Sequence, residues 1–88
     1  MTVHIRWAGG GDARILAVRA DAISLDSTVP SPPGSRIEGA LLEGDGRARV
    51  RIKVHASRRQ ADGRFLLEGR PLELSREARA LLERVAGS

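Results

Sequence analysis

The chain contains no cysteine and no tyrosine, and only one tryptophan (Trp7), one phenylalanine (Phe65) and one lysine (Lys53). The missing cysteine excludes disulfides, thiolate nucleophiles and every zinc site built on sulfur, and it leaves the redox compartment open. The fold must rest on packing alone. The shortage of aromatics removes the stacking platforms that hold single-stranded nucleic acid, and Trp7 and Phe65 are both better placed in a core. No uncharged stretch approaches the roughly 20 residues that span a bilayer. The opening MTVHIRWAGGG also lacks a basic segment followed by an apolar run. These absences predict a cytoplasmic protein with no membrane insertion.

The 88 residues have room for one domain, 1–88. A domain of this size hides roughly 60 to 65% of the surface its unfolded chain exposes, which leaves little space for a deep, water-excluding reaction chamber. A ligand is expected on the outside, and an enzyme is not. The formal charge is +4, nearly all of the positive charge being arginine. Arginine-rich composition suits phosphate recognition, because the guanidinium fork matches phosphate oxygens. It also follows from a coding bias toward Arg, Ala and Gly, and the spread of arginine along the chain among acidic residues fits that second origin.

Residues Thr2 to Ala8 alternate, with Val3, Ile5 and Trp7 on one face and His4 and Arg6 on the other, the pattern of a half-buried strand. Gly9-Gly10-Gly11 and Asp12 predict a tight reversal into a second run, Ala13 to Leu25, antiparallel to the first. The apolar parity of that run (Ile15, Ala17, then Ala20, Ala22) changes around Arg19, which predicts a bulge or break there. The prolines of Val29 to Ser35 predict an extended surface loop. A strand from Arg36 to Leu42 and a turn at Glu43-Gly44-Asp45-Gly46 follow.

Arg47 to Ala56 is the cleanest element: Ala48, Val50, Ile52, Val54 and Ala56 alternate with Arg47, Arg49, Arg51, Lys53 and His55. A further strand, Arg64 to Glu73, is expected to be interrupted near Gly69 to Pro71. Ser75 is a good N-cap, Glu77 suits the first turn, Ala78, Leu81, Leu82 and Val85 recur at helical spacing, and Gly87 closes the helix. The predicted fold is mainly β: a small antiparallel six-stranded barrel plugged by one C-terminal α-helix.

Few residues carry chemistry. The candidates for catalysis, His4, His55, Ser24, Ser27, Asp21 and Asp26, are tied together by no spacing, so no catalytic group is assigned. Two histidines on separate strands predict no metal site. The glycine triplet lacks the helix and lysine of a phosphate-binding loop. Arg47, Arg49, Arg51, Lys53, Arg58 and Arg59 form a basic stripe that suits a polyanion, or simply an exposed strand face kept soluble by charge.

The order of these segments resembles the PilZ domain family, small six-stranded barrels with a C-terminal helix, many of them receptors for cyclic di-GMP. The resemblance covers about three quarters of the chain. It is carried by Ala22-Ile23-Ser24-Leu25, by Pro30-Ser31-Pro32-Pro33-Gly34-Ser35, by Arg47 to Val54, by Arg58 to Phe65 and by Leu72-Glu73-Leu74-Ser75 with Ala78, Leu81 and Leu82. Ligand-binding members carry an Arg-x-x-x-Arg arm ahead of the barrel and an Asp/Asn-x-Ser-x-x-Gly stretch within it. Here Met1 begins almost at the first strand, and Arg6 is followed four positions on by Gly10. Ser24 is retained, while Ala22 and Ser27 occupy the flanking signature positions.

The resemblance implies a degenerate regulatory module that acts through a protein partner, with cyclic di-GMP binding lost or weak and no cofactor otherwise. The alternative it leaves open is a divergent cyclic di-GMP receptor using Ser24, Arg19 and Arg14. Nucleic-acid binding through the basic stripe is a third reading, disfavoured by the lack of aromatics.

Overall fold

The computed structural model describes residues 3–19 and 21–86. The expectations that rest on Thr2, Ala20 and Gly87 lie outside the described residues. Six strands and one helix follow one another: β1 (His4–Trp7), β2 (Asp12–Arg19), β3 (Ala22–Ser27), β4 (Arg36–Glu43), β5 (Gly46–Arg59), β6 (Phe65–Leu72) and α1 (Arg76–Ala86). The strands close into a barrel in the order β1-β2-β3-β6-β5-β4, every neighbour antiparallel. This is the mainly β, six-stranded antiparallel barrel with a C-terminal helix that the alternation predicts.

Period-two alternation puts one side chain of each pair inside. Ile5, Ile23, Leu25, Leu41, Val50, Ile52 and Leu67 are almost wholly removed from solvent, and Trp7 is buried with them. Closure gives every strand a neighbour on each side, which shortens the free sheet edge that is the usual route to unwanted strand pairing. The first hairpin turns on Gly10 and Gly11, whose φ values of 107° and 87° lie in the left-handed region that glycine enters without steric cost.

The helix covers one end of the barrel. The Ser75 hydroxyl accepts a hydrogen bond from the Ala78 amide at 3.1 Å, a capping contact that satisfies one of the unpaired donors at the helix start. Ala78, Leu81 and Leu82 are buried, and the helix packs against β2, β4 and β5. Arg84 in its last turn pairs with the buried carboxylate of Glu43 at the end of β4. Among the described residues no helix is long and apolar enough to cross a membrane.

Three local expectations are corrected. The run Ala13 to Leu25 is two strands with a turn at Asp21, so the break near Arg19 is present, but the bulge lies earlier, between Ile15 and Ala17. Skipping Leu16 reverses the alternation: Ala17 pairs with outward-facing Ser24, and Val18 packs on the core. Strand β6 is not interrupted. Beyond Gly69 it pairs with β5 alone, so Pro71, which has no amide to donate, sits where one side of the strand has no partner. The proline segment lies on the surface at Pro30, Pro32 and Pro33, but Ser31 is buried. The Gly34 amide donates to the Val54 carbonyl at 2.7 Å, which fastens the segment to β5.

Strand β5 is the longest and serves two neighbours, pairing with β4 through Lys53 and with β6 from Arg51 onward. Its register slips between Val54 and Ala56, and Gly69 of β6 faces Val54 at that slip. A Cβ on Gly69 would lie 2.3 Å from the Lys53 carbonyl oxygen, so the two backbones come together there more closely than any side chain permits.

Candidate binding surface

The β2–β3 hairpin brings Ser24, Arg19 and Arg14 onto its outer face, because Ile23, Leu25 and Ser27 take the interior positions of β3. The three are not equivalent. Arg19 is exposed at the end of the hairpin, and Ser24 is half-buried with Ala17 on one side and Glu68 of β6 opposite it on the other. Arg14 faces Asp26 across the strands and forms an ion pair with it. Arg64 completes the group: its Nε donates to Asp26 Oδ1 at 2.8 Å and its Nη2 to the Asp26 carbonyl at 3.2 Å.

Asp26 is thus covered by two guanidiniums and is only 6% exposed. Hydrogen bonds from Arg14 first and Arg64 second hold its carboxyl below the usual carboxylate range, against the opposing effect of burial. A depressed folded-state pKa stabilises the fold above the ordinary value of 3.8, and that contribution is lost as the pH falls from there through the folded-state pKa. Asp26→Asn is expected to cost about 1 to 2 kcal/mol at neutral pH, toward the low end because Arg14 is largely exposed. Thermal unfolding against pH checks this, since the gap between the two proteins should close below about pH 4. A gap that stays constant to pH 2 would refute the assignment.

Ser27 stands where the resembled family has glycine, and the structure gives it a different task. Its Oγ accepts a hydrogen bond from the Trp7 indole Nε1 at 3.1 Å and from the Val29 amide at 3.1 Å, and donates to the Val29 carbonyl at 2.7 Å. It is wholly buried. The hydroxyl ties the tryptophan inside the barrel to the segment that leaves β3.

On the opposite side, β5 presents Arg47, Arg49, Arg51 and Lys53 outward, but the stripe is not continuous with Arg58 and Arg59. The slip at His55 separates them, and Arg58 and Arg59 pair with Leu66 and Phe65 at the far end of the strand. Arg51 is paired with Glu38 at 2.8 Å and lies 3.8 Å from Glu73. Lys53 is half-buried. The side chains of Arg47 and Arg49 are exposed and form no ion pair or hydrogen bond among the described residues.

Barrel closure adds a third cation that lies far away in the chain. Arg6 of β1 pairs with Ala40 of β4, which pairs with Arg49 of β5, so the three form one row across the outer surface. His4, Leu42 and Arg47 form the next row, and Glu38 and Arg51 stand beyond. Gly39, Ala40 and Leu42 floor a shallow open trough between Arg6 on one wall and Arg47 and Arg49 on the other. The Arg6 side chain likewise forms no ion pair or hydrogen bond among the described residues, although Asp12 of β2 is its cross-strand neighbour on the other side. Small floor residues between long cationic walls make a surface that accepts anionic groups and the aliphatic stems that carry them.

His4 and His55 lie on different strands, and among the described residues no cluster of three or more His, Asp or Glu is placed to hold a metal ion. Comparison of the chain with protein-family models, with curated proteins and with solved structures returned no match.

Proposed function

We propose that the chain is a non-catalytic, PilZ-like cytoplasmic binding module that works through a protein partner, with cyclic di-GMP binding lost or weak. The observation that carries this reading is the commitment of Arg14 to Asp26 on the strand pair that bears Ser24. Arg14 is held to the sheet by its ion pair with Asp26, which takes it out of position for a ligand at Ser24, and Glu68 opposite Ser24 adds a negative charge beside any anion bound there. Each charge-assisted hydrogen bond contributes roughly 1.5 to 3 kcal/mol, and micromolar affinity requires roughly 8 kcal/mol. Ser24 and Arg19 do not reach that sum.

The third reading, single-stranded nucleic acid, needs exposed aromatic faces, and both aromatic side chains point inward from Trp7 and Phe65. An NMR titration of the labelled protein with cyclic di-GMP tests the proposal. No shifts are expected at millimolar ligand. Saturating shifts clustered at Ser24, Arg19 and Arg14 would replace it with the receptor reading.

A further inference from the structure

We infer that the trough between Arg6, Arg47 and Arg49 is the docking site for an extended acidic segment of a protein partner. The inference rests on the reading that the chain works through a protein, and it names the surface and the chemistry of what binds.

Three features fix the class of occupant. The floor strand β4 is paired on both sides from Gly39 to Leu42, with β1 and with β5, so recognition over the trough comes from side chains on the outer face. Those side chains are three arginines that form no ion pair among the described residues, and their rigid forks match carboxylates two bonds at a time. Their spacing matters as well. Arg47 and Arg49 are two residues apart on one strand, about 7 Å, which is also the same-side repeat of an extended peptide. Arg6 stands two strands away from Arg49, about 10 Å, on the other wall. A peptide with acidic residues at alternate positions, lying along β5, would meet Arg47 and Arg49 in register and leave a third carboxylate for Arg6.

The same features disfavour the other anions. A single phosphate is small beside three arginines whose strand positions lie about 7 and 10 Å apart, and it would leave the apolar floor between them unused. A nucleic-acid backbone would bring its unbroken charge against Glu38, which lines the trough, and would find no aromatic face on which to stack. The floor of Ala40 and Leu42, half-buried and apolar, instead suits the methylene groups of glutamate.

The test is an NMR titration of the intact protein with a synthetic peptide of alternating glutamate and serine, with its glutamine counterpart as control. Saturating shifts are expected at Arg6, Ala40, Leu42, Arg47 and Arg49 with the acidic peptide alone. Affinity should fall roughly threefold to tenfold for each of Arg6→Gln, Arg47→Gln and Arg49→Gln. Arg58→Gln, an exposed cation beyond the slip in β5, should leave it unchanged. All four positions are exposed, and an unchanged spectrum elsewhere will show that each variant is folded.

An equal loss with Arg58→Gln would reduce the effect to general charge attraction and overturn the site. A single-stranded oligonucleotide that binds the same residues more tightly than the peptide would overturn the occupant. Silence with the acidic peptide at millimolar concentration would remove the trough assignment while leaving the module reading intact, because that reading is decided by the cyclic di-GMP titration.

Discussion

Replacing Gly69 with alanine is expected to destabilise the barrel by about 3 kcal/mol, which in a domain of this size lowers the melting temperature by about 10 to 20 °C. The added methyl group would lie 2.3 Å from the Lys53 carbonyl oxygen and 3.1 Å from Ile52 Cγ2. The nearer obstacle is backbone, which cannot rotate away as a side-chain tip can. Relief would require β5 and β6 to part at the slip between Val54 and Ala56, just past Lys53, where the pairing of β5 with β4 ends. That slip is what lets one long strand bend around the barrel. Gly9→Ala is the control, since a Cβ there meets nothing within 4 Å, and its effect should stay within about 0.5 kcal/mol. Thermal unfolding followed by circular dichroism measures both. Similar melting temperatures for the two variants would show that β5 and β6 shift apart at little cost.

The strands were legible wherever one face is apolar and the other charged. Arg47 to Val54 is the clearest case, because exposed arginine and buried Val50, Ile52 and Val54 leave only one way round for the strand. The break near Arg19 was legible, but the bulge in β2 was not, because Ala17 is apolar and follows Ile15 at the spacing of an unbroken strand although it pairs with outward-facing Ser24. Pro71 misled in the opposite sense. A proline inside a strand argues for an interruption only if both sides need donors, and which side of β6 is paired at that point depends on where β3 ends.

The candidate site was half legible for a related reason. Arg47 and Arg49 belong to one alternating strand and could be read together. Arg6 joins them only because β1 pairs with β4 to close the barrel, a register set by three-dimensional closure between segments more than thirty residues apart. The same holds for Asp26, whose two arginines come from β2 and from the residue just before β6. Charge in the sequence shows how many cations there are; pairing decides which of them remain free. Arg14 and Arg51 are ion-paired with neighbours, whereas Arg6, Arg47 and Arg49 form no ion pair among the described residues.

Ser27→Ala is expected to cost about 2 to 4 kcal/mol, more than its small change in volume suggests. Two donors, the Trp7 indole and the Val29 amide, share the Ser27 oxygen, and among the described residues the Trp7 donor has no other acceptor inside the barrel. Removing an acceptor from a buried donor costs about 1 to 3 kcal/mol per group, whereas removing both members of a bond together costs little. The double variant Ser27→Ala with Trp7→Phe should therefore show a coupling of roughly 1 kcal/mol or more relative to the single variants, as measured by urea unfolding. Trp7 is the only tryptophan in the chain, so its emission reports on this contact alone. Ser27→Gly, which installs the residue of the resembled family, should be at least as destabilising, because it adds backbone freedom to the lost acceptor. It should also gain no affinity for cyclic di-GMP, since the Ser27 side chain faces the interior and not the surface that holds Ser24. A Ser27→Gly protein that stays stable and binds the dinucleotide would return the chain to the receptor class, because serine would then be the block and not the anchor.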